Sequence, residues 1–195
     1  MVENGSPVAV IRAFVGVRID PQTAQKISEV QSQLKRHLSG VRWVGTGNLH
    51  FTLKFLGPVE EEKIKPVADA LERALRLFPR FPILARGIGV FPDIRKPRVL
   101  WVGLEGSSLA SLAMGVEAVL EPIGFAREKR GFKPHLTVGR WRSFDGRAEL
   151  LRDELENWKG YDFGQSWVNE VVFFQSILKA EGAIYSPLRV VRLSN

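Results

Sequence analysis

The sequence predicts a chain of alternating strands and helices that folds as two similar lobes, each contributing one strand to a shared cleft. The main observation is a repeated order of patterns: a strand, a helix, and a second strand that begins with histidine. This order occurs once around Phe14 and His50 and again around Trp101 and His135, at similar spacing. In both halves a further helix pattern follows the histidine-initiated strand. The repetition indicates an internal duplication within a single domain that spans residues 1–195.

Length and composition exclude several classes of protein. At 195 residues, 45% hydrophobic and 25% charged, the chain has the make-up of a globular domain, or of two small lobes that share a core. This composition excludes disorder and collagen-like structure, and no apolar stretch is long enough to span a membrane. The absence of cysteine excludes disulfide frameworks, thiol catalysis and cysteine-ligated metal sites. Residues 1–7 lack a signal-peptide core, so we expect a cytoplasmic protein.

In the first half, turn residues separate clear strand and helix patterns. Alternating β-branched and aromatic residues predict a strand over residues 9–19, and Asp20-Pro21 starts a helix as N-cap and first helical position. The apolar stripe of this helix consists of Ile27, Val30, Leu34 and Leu38, and Ser39-Gly40 ends it. A strand over residues 50–56 is expected to end at Gly57-Pro58, and three glutamates then start a second helix. Its predicted buried face consists of Ile64, Val67, Leu71, Ala74 and Leu75.

In the second half, strands are predicted over residues 81–90 and 98–104, on either side of a turn at 93–97. A helix opens at Ser107-Ser108 and closes around residues 122–124. Its inward positions are Leu109, Leu112, Ala113, Val116 and Leu120. The remaining predicted elements are a strand at 135–141, a turn at 145–146, a helix at 147–158, and strands at 168–178 and 183–193 joined by a turn at 180–182.

Two of the three histidines carry the clearest chemical signal. His50 and His135 each have a threonine two positions later, Thr52 and Thr137, although the chain contains only four threonines. Residues i and i+2 of a strand point to the same face, so each strand presents an imidazole beside a hydroxyl. The residues expected to face the core instead are Phe51, Leu53, Leu136 and Val138. Half-buried structural histidines are the alternative, but a pair on each of two equivalent strands favours a functional role.

Paired imidazoles suit concerted general acid–base catalysis, because a group with a pKa near 6.5 can accept a proton when neutral and donate one when charged. Threonine hydroxyls can bond the non-bridging oxygens of a phosphoryl group, and arginines can stabilise its charge. Residues 127–142 carry +5 of the net +7, which suits phosphate or nucleic acid. Their basic residues are Arg127, Lys129, Arg130, Lys133, Arg140 and Arg142. The chain lacks zinc-protease, serine-hydrolase and phosphate-loop motifs, so we expect no metal or cofactor.

The two motifs and their flanks resemble a known family. The pattern His-x-Thr-x at residues 50–53 and 135–138 is similar to the paired HxTx motifs of the 2H phosphoesterase superfamily. The flanks read NLHFTLKFLG at 48–57 and FKPHLTVGR at 132–140. Together with residues 175–188, they resemble the RNA 2′,3′-cyclic phosphodiesterases, historically called 2′-5′ RNA ligases. The similarity runs from about Arg12 to Leu188, nearly the whole chain.

This resemblance implies an α+β fold of two pseudo-symmetric lobes, each with an antiparallel sheet and outer helices, around a central cleft. The HxTx strands lie at residues 50–56 and 135–141. It also implies metal-independent hydrolysis of a terminal 2′,3′-cyclic phosphate on RNA to a 2′-phosphate. In the family's scheme His50 donates a proton to the leaving 3′ oxygen and His135 activates water, although from the residues alone either imidazole can take either role.

The resemblance also suggests substrate contacts and partners. Thr52, Thr137 and Arg140 are the expected phosphate ligands. Trp141 and Tyr185 are candidates for contacts to a base or at the cleft rim, with core packing as the alternative for both. The expected partner is RNA, as a tRNA-like or oligonucleotide end, or a cyclic nucleotide. We expect a monomer with no membrane association and no obligate protein partner.

Two other functions remain open at this point. One is a 2H enzyme that acts on a small cyclic phosphate or a 2′-5′ linkage, including reversible ligation. The other is a non-catalytic RNA-binding module that uses the basic window. Two single residues also carry expectations: His37, which has no threonine partner, is expected at the surface or at a helix end. Gly139 stands where members of the family often carry a bulkier residue, which indicates a close backbone approach.

Overall fold

The computed structural model describes residues 9–144, 147–179 and 182–195. The strands in these residues are β1 (Val10–Arg18), β2 (Val41–Trp43), β3 (His50–Glu60), β4 (Phe81–Phe91), β5 (Val99–Glu105), β6 (His135–Trp141), β7 (Asp162–Val168), β8 (Glu170–Lys179) and β9 (Gly182–Arg192). The α-helices are α1 (Pro21–Leu34), α2 (Glu61–Leu75), α3 (Leu109–Leu120) and α4 (Ala148–Asn157). Residues 1–7, the turn predicted at 145–146 and the first two positions of the turn at 180–182 lie outside the described residues. None of the described helices is long and apolar enough to cross a membrane.

The described strands form one antiparallel sheet whose two halves meet at a single residue pair. The strand order is β7-β4-β5-β6-β3-β1-β8-β9, with β2 pairing on β6. Only Phe51 and Leu136 pair between β3 and β6, so each half has four main strands and begins, at this junction, with a histidine-initiated strand. The α+β fold with antiparallel sheets in two halves is thereby confirmed. The matching strand order is what an internal duplication would give, and the duplication itself stays a prediction.

The first helix of each half packs on the sheet of the other half. Helix α1 follows β1, yet the Gln31 amide donates to the carbonyl of Val138 on β6 at 2.8 Å. The hydroxyl of Thr23 in the same helix donates to a carbonyl of β7 at 3.3 Å. Helix α3 follows β5, yet its Glu117 pairs with Lys54 on β3. The helices therefore interlock the two halves around a shared apolar core.

Local sequence signals explain most helix boundaries. The Asp20 side chain accepts a hydrogen bond from the Gln22 amide at 2.9 Å, and Pro21 opens α1. The four positions of the predicted α1 stripe are all buried. The helix ends at Leu34, earlier than predicted. In the next turn the amides of Arg36 and His37 donate to the carbonyls three residues before them, as in a 3₁₀-helix. In α2 the predicted face is buried at Val67, Leu71 and Leu75 and half-buried at Ile64 and Ala74.

The prediction that Gly57-Pro58 ends the third strand is wrong, because β3 continues to Glu60. Gly57 has φ +70° beside a register shift in the pairing with β1, which is the kind of position where a strand bulges. Proline has no backbone N–H to donate to a neighbouring strand. At Pro58 this removes no hydrogen bond to β6, since the described part of β3 pairs with β6 only at Phe51. Proline is therefore tolerated within this strand.

Two strands lie where the sequence patterns predict none. Strand β2 is three residues long, and β7 is an edge strand on β4. The β7 sequence DFGQSWV has no apolar alternation: its buried positions are Phe163, Val168 and the polar Ser166. Ser166 is accommodated because its hydroxyl bonds Thr23 of α1 at 3.0 Å. The other predicted strands and helices are confirmed to within a few residues.

Candidate active site

The two HxTx strands place their histidines on the same side of the sheet, next to the junction of its halves. Phe51 of β3 pairs with Leu136 of β6 in antiparallel register, so His50 and His135 flank this pair diagonally, one on each strand. The four residues predicted to face the core (Phe51, Leu53, Leu136 and Val138) are all buried, as expected. The histidines and their threonines are half-buried and face the opposite way. They share the concave side of the sheet, which we call the cleft face.

The same hydrogen bond orients both imidazoles. Nδ1 of His50 lies 2.7 Å from the carbonyl oxygen of Asn48, and Nδ1 of His135 lies 2.6 Å from that of Lys133. A carbonyl oxygen can only accept, so each Nδ1 carries a proton and donates it. In the neutral ring, Nε2 is then the nitrogen that can accept a proton. Both histidines therefore present Nε2 as the atom available for chemistry.

Burial lowers the pKa of both imidazoles. For His50, burial is the largest cause, the Asn48 carbonyl opposes it, and the positive charges of Arg140 and His135 lower the pKa further. For His135, burial again comes first, the Lys133 carbonyl opposes it, and Arg140 adds to the lowering. Both rings are therefore mostly neutral at pH 7 in the free protein. A bound anion between them would offset these positive charges and allow one ring to hold a proton.

Arg140 reaches the cleft face through a bulge in β6. Leu100 and Trp101 are adjacent in β5 but pair with Gly139 and Thr137, so Val138 is an extra residue. The bulge reverses the alternation, which puts Arg140 on the side of Thr137. Its Nη2 lies 3.5 Å from the Thr137 hydroxyl, and its charge is felt by both histidines. The structure thus brings Arg140 to the two HxTx motifs.

Aromatic rings support His50 from three other strands, β1, β8 and β9. The Phe14 ring on β1 lies 4.8 Å from the imidazole, and the Tyr185 ring on β9 meets it edge-on at 4.8 Å. Phe174 stacks on Phe14 at 4.9 Å. Burial raises the pKa of Tyr185, so its hydroxyl stays protonated. A small open pocket lies here, lined by Arg18, Gly47, Asn48, Leu49, His50, Phe174 and Tyr185. The predicted rim position of Tyr185 is therefore beside His50.

His135 has a smaller aromatic support. Phe91 of β4 meets its ring edge-on at 5.0 Å, and Trp101 lies 5.2 Å from Phe91. The indole covers Gly89 so closely that an added Cβ there would collide with the ring. Sequence patterns do not predict that Phe91, Trp101 or Asn48 lies at the site. Only the strand register, which pairs Trp101 with Thr137, brings them to the site.

Several residues from the sequence-based expectations lie elsewhere. Trp141 is 4% exposed, and its indole donates to the Ser39 carbonyl at 3.2 Å, so we leave it out of the proposed site. His37 lies beyond the end of α1 and contacts Glu154 of α4, outside the cleft. Gly139 does mark a close approach, since a Cβ there would be 2.6 Å from Val41.

Three of the five remaining cations of the basic window have other contacts. Arg127 pairs with Glu121 at 2.8 Å, and Arg130 pairs with Glu128 at 3.6 Å. The Lys133 amine lies 5.7 Å from the centre of the Phe91 ring. Arg140 is the member of the window whose charge acts on both histidines.

Comparisons with known proteins identify the family of the chain. Residues 17–101 match the model of the family described as LigT-like phosphoesterases. A Methanothermobacter thermautotrophicus protein named RNA 2′,3′-cyclic phosphodiesterase is 38% identical over 94% of this chain and 99% of its own length. A protein of the same name from Archaeoglobus fulgidus is also 38% identical, over 92% of this chain and 99% of its own length.

Solved structures show the same fold. A crystal structure of a Thermus thermophilus protein has a TM-score of 0.81 at 27% identity and covers 94% of this chain and 98% of its own. Escherichia coli LigT, crystallised with 3′-AMP, has a TM-score of 0.76 at 22% identity over 96% of this chain and all of its own. With the sequence relatives above, these findings confirm the resemblance seen in the two motifs: the chain belongs to the LigT-like family of 2H phosphoesterases.

Proposed function

We propose that this phosphoesterase opens a terminal 2′,3′-cyclic phosphate on RNA and leaves a 2′-phosphate, without a metal ion. The observation that carries the proposal is the pair of identically oriented imidazoles, His50 and His135, on adjacent strands, with the charge of Arg140 acting on both. The names of the relatives support the substrate class. Family membership favours an enzyme over a non-catalytic RNA-binding module.

The proposed reaction is a single displacement at phosphorus. Nε2 of neutral His135 accepts a proton from water as the water oxygen bonds to phosphorus. The bond from phosphorus to the 3′ oxygen breaks, and Nε2–H of protonated His50 donates its proton to that oxygen. The phosphate remains attached at the 2′ oxygen. One proton then passes from His135 to solvent and one returns to His50, which restores the starting state.

Three further side chains act on the charge of the phosphoryl group. The hydroxyls of Thr52 and Thr137 lie on the same face as the two imidazoles and donate to the non-bridging oxygens. Arg140 stabilises the negative charge that spreads over these oxygens in the transition state. Its positive charge also lowers the pKa of both histidines, and the bound phosphate reverses that effect, so that His50 is protonated when substrate is present.

The test is to incubate the purified protein, in the presence of EDTA, with an oligoribonucleotide that ends in a 2′,3′-cyclic phosphate, and to identify the product isomer. The proposal predicts multiple turnovers and a 2′-phosphate. A 3′-phosphate product would mean that the 2′ oxygen departs instead. Loss of activity in EDTA that added Mg²⁺, Mn²⁺ or Zn²⁺ restores would contradict the two-imidazole reaction.

A further inference from the structure

The Asn48 side chain ties the segment before His50 to an edge strand of the sheet. Its amide nitrogen Nδ2 donates to the carbonyl oxygen of Ala183 on β9 at 3.0 Å. In the strand order, β1 and β8 lie between β3 and β9, so this bond reaches past two strands. The Tyr185 ring, two residues after Ala183, meets the His50 imidazole edge-on. Strand β9 therefore contacts the first motif and its flank at two places.

The backbone of the same asparagine orients His50. The Asn48 carbonyl accepts a hydrogen bond from Nδ1 of His50 at 2.7 Å. A carbonyl keeps its direction only while the peptide that carries it stays in place, and rotation of this peptide would release the imidazole. The side chain and the backbone of Asn48 thus form one series of hydrogen bonds, which runs from the edge strand β9 to the imidazole.

The segment that carries this carbonyl is short and exposed. Its single 3₁₀ turn, Thr46–Asn48, is closed by the amides of Asn48 and Leu49, which donate to the carbonyls of Gly45 at 2.8 Å and Thr46 at 3.3 Å. One such turn is a weak constraint by itself. The buried Leu49 side chain anchors the end of the segment, but a side chain leaves the preceding peptide able to rotate. The bond from Asn48 to β9 adds the constraint from another element.

The second motif is held in a different way. Lys133 supplies the carbonyl for His135, and the carbonyl of the next residue, Pro134, accepts a backbone hydrogen bond from Leu104 of β5 at 3.2 Å. This bond to the neighbouring strand fixes the backbone beside the Lys133 carbonyl without the help of a side chain. The Asn48 side chain thus does for the first motif what backbone pairing with β5 does for the second.

We propose that Asn48 is a positioning residue for the proton donor: its side-chain amide, anchored on β9, holds the carbonyl that keeps His50 directed at the leaving oxygen. This inference rests on the proposed function and deepens it. Asn48 does not touch the reacting atoms in this scheme. Its loss should therefore slow proton donation by His50 and leave substrate binding and water activation by His135 intact.

The test compares Asn48→Ala with the wild-type protein on two cyclic phosphates, one with the natural 3′ oxygen and one with 3′ sulfur. A thiol is far more acidic than a hydroxyl, so the sulfur departs as a thiolate and needs no proton donor. With the oxygen substrate, kcat should fall about 10- to 10²-fold, as for a catalytic group that is slightly misplaced, and KM should change little. With the sulfur substrate, kcat should stay close to the wild-type value.

Two further variants control for volume and for general effects. Asn48→Leu keeps a side chain of similar size without the N–H donor, and it should behave like Asn48→Ala. Asn157→Ala is the matched control, because Asn157 is an exposed asparagine at the end of α4, and it should match the wild-type protein on both substrates. An equal loss of the two activities in the Asn48 variants would overturn the inference, and so would the absence of any loss.

The ring nitrogens of His50 separate this inference from the proposed function. Imidazole nitrogen NMR distinguishes a ring that is protonated at Nδ1 from one that is protonated at Nε2, in the free protein and without substrate. If the wild-type protein hydrolyses neither substrate, the proposed function fails, and this measurement decides about Asn48. At a pH where the rings are neutral, a partial shift of the His50 proton to Nε2 in Asn48→Ala, with His135 unchanged, supports the inference. An unchanged proton position in His50 overturns it.

Discussion

At the scale of single residues, the site depends on which nitrogen of each imidazole carries a proton. The Asn48 and Lys133 carbonyls keep the proton on Nδ1, and burial keeps the rings mostly neutral. The two imidazoles are chemically equivalent, so their surroundings must make their protonation states differ when the substrate binds. His50 lies deeper and is affected by the charge of His135, whereas His135 is more exposed to water. This difference is consistent with water activation at His135.

Arg140 contributes to the pH dependence of the site, after burial and the backbone hydrogen bonds. The base must be neutral and the acid protonated, so the acidic limb of a kcat/KM profile reports the base and the alkaline limb reports the acid. Because both pKa values lie below 6.5 in the free protein, we expect kcat/KM to decline already between pH 6.5 and 8. Arg140→Met removes a charge that lowers both pKa values, so both limbs should move to higher pH.

The same variant should lose about 10²- to 10³-fold in kcat, since it also removes a donor to the phosphoryl group. Steady-state kinetics between pH 5 and 9 measures both effects. Arg142→Met is the control: Arg142 is an exposed neighbour in sequence, and its removal should leave the limbs in place. Limbs that stay at the same pH in Arg140→Met would contradict this account of the electrostatics.

At the scale of elements, the bulges in β3 and β6 decide which residues reach the cleft. Strand alternation correctly predicts that His50 and Thr52 share a face, and that Leu53 faces the core. After the bulge, alternation fails, and Lys54 is buried while Phe55 is exposed. The bulge is a property of the pairing with β1, and no pattern within β3 itself reveals it.

The same limit explains the other differences between expectation and structure. Trp141 follows the β6 bulge and turns into the core, so its position next to Arg140 in the sequence is misleading. Strand β7 is stabilised by its pairing with β4 and by the hydrogen bond of Ser166 to α1. Neither interaction requires a periodic pattern of apolar residues in the sequence. Helix starts and motif strands depend on local signals, which is why Asp20-Pro21 and the strand at 135–141 were predictable.

Lys54 links the two halves through a contact between strand β3 and helix α3. Its side chain is 5% exposed, and its amine bonds both Glu117 of α3 and the Ala126 carbonyl. Lys54→Met would leave a mostly buried carboxylate without its partner, so we expect a loss of about 3 kcal/mol in the free energy of unfolding. The double variant with Glu117→Leu should recover much of that loss, because it removes the unpaired charge as well.

Chemical denaturation measures these free energies. Lys63→Met is the matched control, since Lys63 is an exposed lysine of α2 that pairs with Glu60 at 3.6 Å, and a surface pair contributes little. A loss in Lys54→Met no larger than that in Lys63→Met would show that the buried pair does not hold the two halves together.

At the scale of the whole molecule, the crossing of α1 and α3 leads us to expect that the two halves fold as one unit. The five tryptophans lie on the side of β6, in or next to β2, β5, β6, α4 and β7: Trp43, Trp101, Trp141, Trp158 and Trp167. Tryptophan fluorescence therefore reports on one half, whereas circular dichroism reports on both. Because the halves are interlocked, we expect the two signals to give the same midpoint and slope in a urea titration. Separate transitions would contradict a single cooperative domain.

In the proposed mechanism, two similar strands supply two similar imidazoles, which then perform opposite proton transfers. A substrate with a 3′-sulfur in place of the 3′ oxygen separates these roles, because a thiolate departs without a proton.

The most direct measurement is the turnover of the wild-type protein, His50→Gln and His135→Gln on cyclic phosphates with 3′ oxygen and with 3′ sulfur. With the oxygen substrate, we expect each variant to lose about 10²- to 10⁴-fold. With the sulfur substrate, His50→Gln should recover most of its activity and His135→Gln should not. Wild-type turnover of the oxygen substrate by either variant would contradict the two-imidazole mechanism.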